Sequence, residues 1–263
     1  MSDPHAAGRR SLRSIESRSP AVTRAIGVLE ELSRRGVPTR LADLARSLDL
    51  AKSTVANVCA ALEDSHVVRR VDGLWALDYR VVEFGQSFLA STDIVAEFRR
   101  AAATLPTAHA ETMLLAILDG TDVLYLARHD GTQPIRLASD IGRRMPAVVT
   151  ALGKAMLAQL PPAQLEQRLA EVGELPVLTS RSHRSVESLK EDLEVTARRG
   201  YAMDDQQNTE GVSCFGVAVP GGPSRSIAVS ATLLSARVTD QLREDIVADL
   251  TTLSRAVARV VKP

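Results

Sequence analysis

Residues 39–77 read TRLADLARSLDLAKSTVANVCAALEDSHVVRRVDGLWAL, and the spacing of their apolar side chains decides the architecture of the first part of the chain. In 39–48, Leu41, Leu44, Ala45 and Leu48 fall at i, i+3, i+4 and i+7, one stripe of a short helix with Thr39 placed to cap its start. After a break at 49–51, the run 52–62 repeats the period with Val55, Val58, Cys59 and Leu62 inward. Ser53, Ala56, Asn57 and Ala60 then point the other way. Two short helices three residues apart cross steeply instead of lying alongside each other. The outward face of the second helix is small and hydrogen-bonding where a surface helix would carry Glu and Lys, which suits entry into a DNA groove. Residues 67–71 and 74–77 are β-prone runs joined by Asp72-Gly73, a pair that tolerates positive φ and builds a type I′ hairpin. Helix, turn, helix and hairpin make a winged helix-turn-helix. Arg69 and Arg70 on the first strand would meet phosphates; the competing reading is a protein-interaction wing with solvated arginines.

The chain has 263 residues, 45% of them hydrophobic, enough for two buried cores. Lys+Arg and Asp+Glu both total 32, so the molecule as a whole is neutral. Residues 1–80 hold 13 basic and 10 acidic side chains against 19 and 22 in the remainder, a weak asymmetry of the sign a DNA-binding first domain needs. Two cysteines, Cys59 and Cys214, exclude a disulfide framework and fit a reduced cytoplasm. There is no apolar run of transmembrane length and no signal-peptide core, so a cytoplasmic protein without membrane contact is expected.

Residues 1–18 are rich in Ser, Arg and Gly and are expected to be a disordered tail, its arginines solvated or touching DNA. Ser19-Pro20 opens a helix with Val22, Ala25, Ile26, Leu29 and Leu32 on one face. The winged domain thus spans 19–78. Residues 79–92 carry Val81, Val82, Phe84, Phe88 and Leu89, too apolar for a free linker helix; its partner is the second domain or the same helix of another subunit. In the second domain, 93–263, a helix opens at Thr92-Asp93 and strands at 112–118 and 123–127 flank Asp119-Gly120-Thr121-Asp122; a third is expected at 135–139. Helices follow Thr150, cover 163–172 and run from Ser185 to a stop at Gly200. Strands 212–219 and 226–233 pair, and Thr239 caps a last helix reaching about Val261. This order predicts an α+β domain with an antiparallel sheet and helices on one of its faces.

Ala51-Lys52-Ser53-Thr54-Val55, Leu62-Glu63 and the hairpin resemble the IclR family of bacterial transcription regulators. The likeness continues through Glu111-Thr112, Gly142-Arg143-Arg144-Met145-Pro146, Thr150-Ala151-Leu152-Gly153-Lys154-Ala155, Arg199-Gly200-Tyr201-Ala202 with Asp204-Asp205, and Gly211-Val212-Ser213-Cys214. The order and spacing of these anchors carry the resemblance. It implies a GAF-like effector-binding second domain, operator DNA as partner and a homodimer or a dimer of dimers. Carried onto this chain, DNA contacts fall to Thr39, Arg40, Lys52, Ser53, Thr54, Ala56, Asn57, Arg69 and Arg70. Asn57 stands where the family usually has Arg, and His66 where it usually has Gly before the wing. Asn pairs with adenine where Arg favours guanine, so the operator should differ from those of relatives. Gln207 stands where Glu is common and Ala218 where Pro is common.

Ala151-Leu152-Gly153-Lys154 lacks the first glycine and the following Ser or Thr of a phosphate loop, although a helix start there still attracts a carboxylate. The five histidines show no metal-ligand spacing, so neither metal nor cofactor is expected. Asp204, Cys214, Ser230 and Thr232 are the candidates for a small-molecule pocket. Ser230 and Thr232 are two apart and share a strand face; buried hydroxyls need partners in backbone, water or ligand. The resemblance adds Leu152 and Gly153 to that pocket. The reading is a regulator that senses a small metabolite, an organic acid by preference; the rival is an enzyme with an interaction module, against which stands the lack of any nucleophile, base and orienter set.

Overall fold

In the computed structural model the described residues are 17–90, 93–132, 140–221 and 226–261; the side chain of residue 90 is not described. The chain forms two compact units divided between Phe88 and Leu89.

In the first unit, α1 spans Pro20–Arg35, α2 Leu41–Leu48, α3 Lys52–Asp64, β1 Val68–Val71 and β2 Leu74–Leu77. The apolar stripes read from the sequence close one core of Val28, Leu32, Leu44, Ala45, Val55, Cys59, Val68 and Trp75. β1 and β2 pair antiparallel with Val71 opposite Leu74, and Asp72 and Gly73 both take positive φ (51° and 77°), as a type I′ turn requires. Two expectations need correction. Thr39 does not cap α2: Arg40 holds the N-cap position, and Thr39 exchanges two 2.8 Å backbone hydrogen bonds with Trp75 as an isolated rung beside the wing. Its backbone is committed to the hairpin, its side chain is buried, and its hydroxyl donates to the Val37 carbonyl. The contact face of α1 is also rotated. Val22 and Ile26 are exposed, while Val28, Glu31 and Leu32 are buried. Glu31 accepts from Arg34 and Arg35, and Arg35 donates to Ser47 on α2, so a polar bridge fixes this face where only apolar residues had been counted. Those arginines hold the Glu31 carboxylate at about 2 although burial works in the other direction.

α4, Arg80–Ala90, leaves Val82, Phe84 and Phe88 exposed, with Tyr79 exposed just ahead of it.

In the second unit, α5 (Asp93–Ala102) precedes β3 (Thr112–Asp119), β4 (Asp122–His129) and β5 (Arg144–Pro146). Then come α6 (Ala151–Leu157), α7 (Pro162–Val172), α8 (Val186–Arg199), β6 (Ala202–Asp205), β7 (Val212–Ala218), β8 (Ile227–Leu234) and α9 (Asp240–Ala258). The strands form one antiparallel sheet in the order β5-β4-β3-β8-β7-β6. Ser185 and Thr239 cap α8 and α9 by accepting from Ser188 and Leu242, and α8 ends at Gly200 with φ 83°. Helices cover both faces of the sheet, contrary to the expectation of one. Met113, Leu115, Phe215 and Val229 pack towards α5 and α9; Leu114, Ala116 and Ala228 pack in a second core with α6, α7 and α8. Apolar residues at consecutive positions of β3 and β8 bury both sides of those strands, the pattern of a sheet sandwiched between layers. β5 and β6 were not read from the sequence, and the strand expected at 135–139 lies outside the described residues, as does the tail before Ser17. Among the described residues no helix is long and apolar enough to cross a membrane.

Candidate functional site

The outward face of α3 is set by its inward one. With Val55 and Cys59 fully buried, Lys52, Ser53 and Asn57 are exposed and Thr54 and Ala56 half-buried. Arg40, Arg69 and Arg70 are exposed. The wing arginines are positioned: the Arg70 guanidinium lies 4.5 Å from the Trp75 ring centre and 3.5 Å from Glu63, and that of Arg69 lies 5.5 Å from the Tyr79 ring. Seating the guanidinium groups over aromatic faces holds the charged ends in place while they stay solvated. Just before β1, His66 takes φ 57°, the left-handed region where glycine costs least.

The second candidate site is written in strand register. Asp204 lies opposite Cys214, Cys214 opposite Thr232, and Thr232 opposite Thr112, one row across four strands. The next row on the same face is Ala202, Gly216, Ser230 and Leu114. Tyr125 on β4 joins this face opposite Ala116. The start of α6 covers the second row, and Gly216 permits it: a Cβ there would stand 2.5 Å from the Ala151 carbonyl oxygen. The structure therefore brings Leu152, Gly153, Asp204, Cys214, Ser230 and Thr232 to one face. Asp204, Ser230 and Thr232 are buried, and Cys214 is half-buried. Its thiol meets the Thr232 hydroxyl at 3.4 Å. Burial raises the Cys214 thiol and the Tyr125 phenol well above their ordinary ranges, so both are neutral donors at physiological pH. At the start of α6, expected to attract a carboxylate, the Gly153 N–H is taken up by the Thr150 hydroxyl at 3.0 Å.

Asp204 Oδ1 accepts from the backbone amides of Gln207 (2.7 Å) and Asn208 (3.2 Å), while Oδ2 takes no hydrogen bond among the described residues. Burial pushes this carboxyl up to about 6 against the pull of those amides and of Lys154. Lys154 is fully buried, with Nζ 2.5 Å from each of Asp192 Oδ2, the Met203 carbonyl and Gln207 Oε1. His183 adds a 3.1 Å contact to Asp192, and hydrogen bonds from His183 and Lys154 hold the Asp192 carboxylate at about 2 despite burial. Burial lowers Lys154 itself, opposed mainly by Asp192. A buried cation matched this fully is structural: it staples α6 to α8 and to the turn after β6. The sequence reading missed Tyr125, Thr112 and the Lys154 network; the first two follow only from register, which a single sequence does not display.

A winged helix-turn-helix followed by a mixed domain with an antiparallel sheet is the build of a ligand-responsive DNA-binding regulator. Residues 21–72 match the IclR helix-turn-helix domain, and residues 86–259 match the C-terminal domain of bacterial IclR transcriptional regulators. The chain is 30% identical to the HTH-type transcriptional regulator XynR of Escherichia coli (strain K12), over 90% of this chain and 96% of that protein. It is 29% identical to the transcriptional repressor IclR of the same organism, covering 84% and 82% of the two chains. In fold it is similar to an IclR transcriptional regulator from Alicyclobacillus acidocaldarius, with a TM-score of 0.83 over 94% of this chain and all of that one at 21% identity. It is likewise similar to an IclR homolog from Microbacterium hydrocarbonoxydans complexed with 4-hydroxybenzoate, with a TM-score of 0.75 at 19% identity over 91% and 99% of the chains. The chain belongs to the IclR family: it is a DNA-binding transcriptional regulator with a C-terminal effector domain, and its relatives are regulators, not enzymes.

Proposed function

We propose that this regulator binds operator DNA as a homodimer and releases or tightens its grip when a small organic acid enters the pocket on the β6-β7-β8 face. One observation carries the reading: the Ser230 hydroxyl, the Tyr125 phenol and the Asp204 carboxyl, all on largely buried residues, converge on one sheet face beside the Cys214–Thr232 pair. Polar groups gathered on one buried face need partners, and a ligand can supply them. The carboxylate of 4-hydroxybenzoate, with which a structural neighbour is complexed, is the kind of group the Ser230 and Tyr125 hydroxyls suit as donors. Lys52, Ser53, Thr54, Ala56 and Asn57 read the groove, with Arg40, Arg69 and Arg70 on phosphates; buried Thr39 is left out of that surface. The exposed Val82, Phe84 and Phe88 of α4 favour a second copy as the covering partner. Operator binding places the protein with the chromosome, in the cytoplasm. Thermal-shift screening of the full chain against aliphatic and aromatic carboxylic acids tests the pocket: a stabilising acid whose effect vanishes in Ser230→Ala with Thr232→Val supports it, and an undiminished effect in that variant contradicts it.

A further inference from the structure

Charged and titratable groups surround Asp204 on several elements. Asp204 sits on β6 with Asp205 as its charged neighbour on the strand; Lys154 faces it from α6, Cys214 from β7 and Tyr125 from β4. Behind Lys154 stand Asp192 and Arg199 of α8, together with His183. Lys154 is already matched by Asp192 at 2.5 Å, and Asp205 pairs with Arg181. Among the described residues, Asp204 therefore has amide donors on Oδ1 but no counter-ion of its own, and Oδ2 takes no bond. Arg143, whose carbonyl accepts from the Tyr125 amide at 3.1 Å, supplies positive charge on the Tyr125 side. A carboxylate ligand on this face would place a second anion beside Asp204 in a buried setting, where like charges repel strongly.

We propose that the pocket takes up its carboxylate effector together with one proton from solvent, held on Asp204 Oδ2 and donated as a hydrogen bond to the ligand oxygen. The inference rests on the organic-acid reading above. No covalent bond to the ligand forms or breaks; the proton leaves a buffer acid and returns when the ligand departs. The geometry suits it, because fixing Oδ1 with two amides leaves Oδ2 as the position a proton occupies, adjacent to the half-buried Cys214 across the strand pair. The same burial that leaves Asp204 without a counter-ion holds its carboxyl near 6, within the range where a cell's pH alters its charge. The regulator would thus respond to effector and acidity together.

Calorimetry on the full chain tests this with a panel of aliphatic, 2-hydroxy, 2-oxo and aromatic monocarboxylates, 4-hydroxybenzoate among them, at pH 5.5 to 8 and in two buffers of different ionisation enthalpy. These probes stay ionised throughout, since a carboxyl titrates at roughly 4. With Asp204 near 6, its protonated fraction falls from one half at pH 6 to about one hundredth at pH 8, so affinity should weaken about fifty-fold over that span. Close to one proton should be absorbed per site at pH 8. Asp204→Asn should bind with affinity independent of pH. Binding that is flat with pH and releases no buffer-dependent heat overturns the proton coupling while leaving the pocket intact; no binding by any probe at any pH overturns both. The two-buffer comparison on the unsubstituted protein decides the matter even if the variant fails to fold.

Discussion

The backbone amide of Gln207 donates to Asp204 Oδ1 at 2.7 Å, and the same residue's side chain accepts from Lys154 Nζ at 2.5 Å. Through Gln207, the Asp204 carboxylate is one residue removed from the buried cation that staples α6 to α8. Replacing Gln207 by Ala leaves the Lys154 ammonium one acceptor short, which should cost about 1–3 kcal/mol of stability in urea denaturation of the full chain. A change under a few tenths of a kcal/mol would show that Asp192 and the Met203 carbonyl suffice.

The two buried aspartates titrate in opposite senses. Asp192 is held at about 2, below the ordinary 3.8, so the stability it contributes is present above pH 4 and lost as pH falls through 2. Asp204 is raised to about 6, so its contribution is present below pH 4 and lost as pH rises through 6. Asp204→Asn should accordingly be more stable than the parent by about 1–3 kcal/mol at pH 8 and indistinguishable from it at pH 4. Denaturation curves at the two pH values check this; equal differences at both would rule out burial of the charge as the cause.

Gly216→Ala should displace α6. The added Cβ meets backbone, the Ala151 carbonyl oxygen at 2.5 Å, which cannot rotate away as a side chain would. A loss of about 1–3 kcal/mol and a weakened effector response are expected. A crystal structure of the variant with α6 unmoved would contradict the packing described for this face.

Asn57 and Arg69 should fail differently. Asn57 is exposed on the outward side of α3, so Asn57→Ala should lose roughly 1–3 kcal/mol of operator affinity and relax the preference at one base pair. Arg69→Ala should weaken all sequences alike and flatten the salt slope by about one unit. Selection from random DNA separates the two; an unchanged preference for Asn57→Ala would reduce Asn57 to a surface residue.

Much of this was legible in the chain. The stripes of α2 and α3 and the Asp72-Gly73 turn are local patterns, and local periodicity is what a single sequence records best. Ser230 and Thr232 shared a face by their spacing alone. What stayed hidden depends on distant partners. The Asp204-Cys214-Thr232-Thr112 row is a matter of register between strands up to 120 residues apart. Tyr125 lay within an expected strand and Lys154 within an expected helix, and no local pattern marks the role of either. Thr39 passed for a cap because an N-cap preference was stronger in sequence than a pairing with Trp75, which only the folded hairpin offers.

The central claim is that a ligand on the Ser230 face controls DNA affinity from a separate domain. The direct measurement is operator affinity of the full chain, with and without the stabilising acid found in the screen, for the parent and for Ser230→Ala combined with Thr232→Val. The operator is first selected from genomic fragments retained at ~50 mM salt, where phosphate contacts hold best. The account predicts a change of roughly 5- to 150-fold in the parent, matched by an equal change in ligand affinity when operator is present. In the double variant that response should vanish while ligand-free affinity stays within a few fold. An undiminished response in the double variant, or no fragment retained with or without the acid, would contradict it.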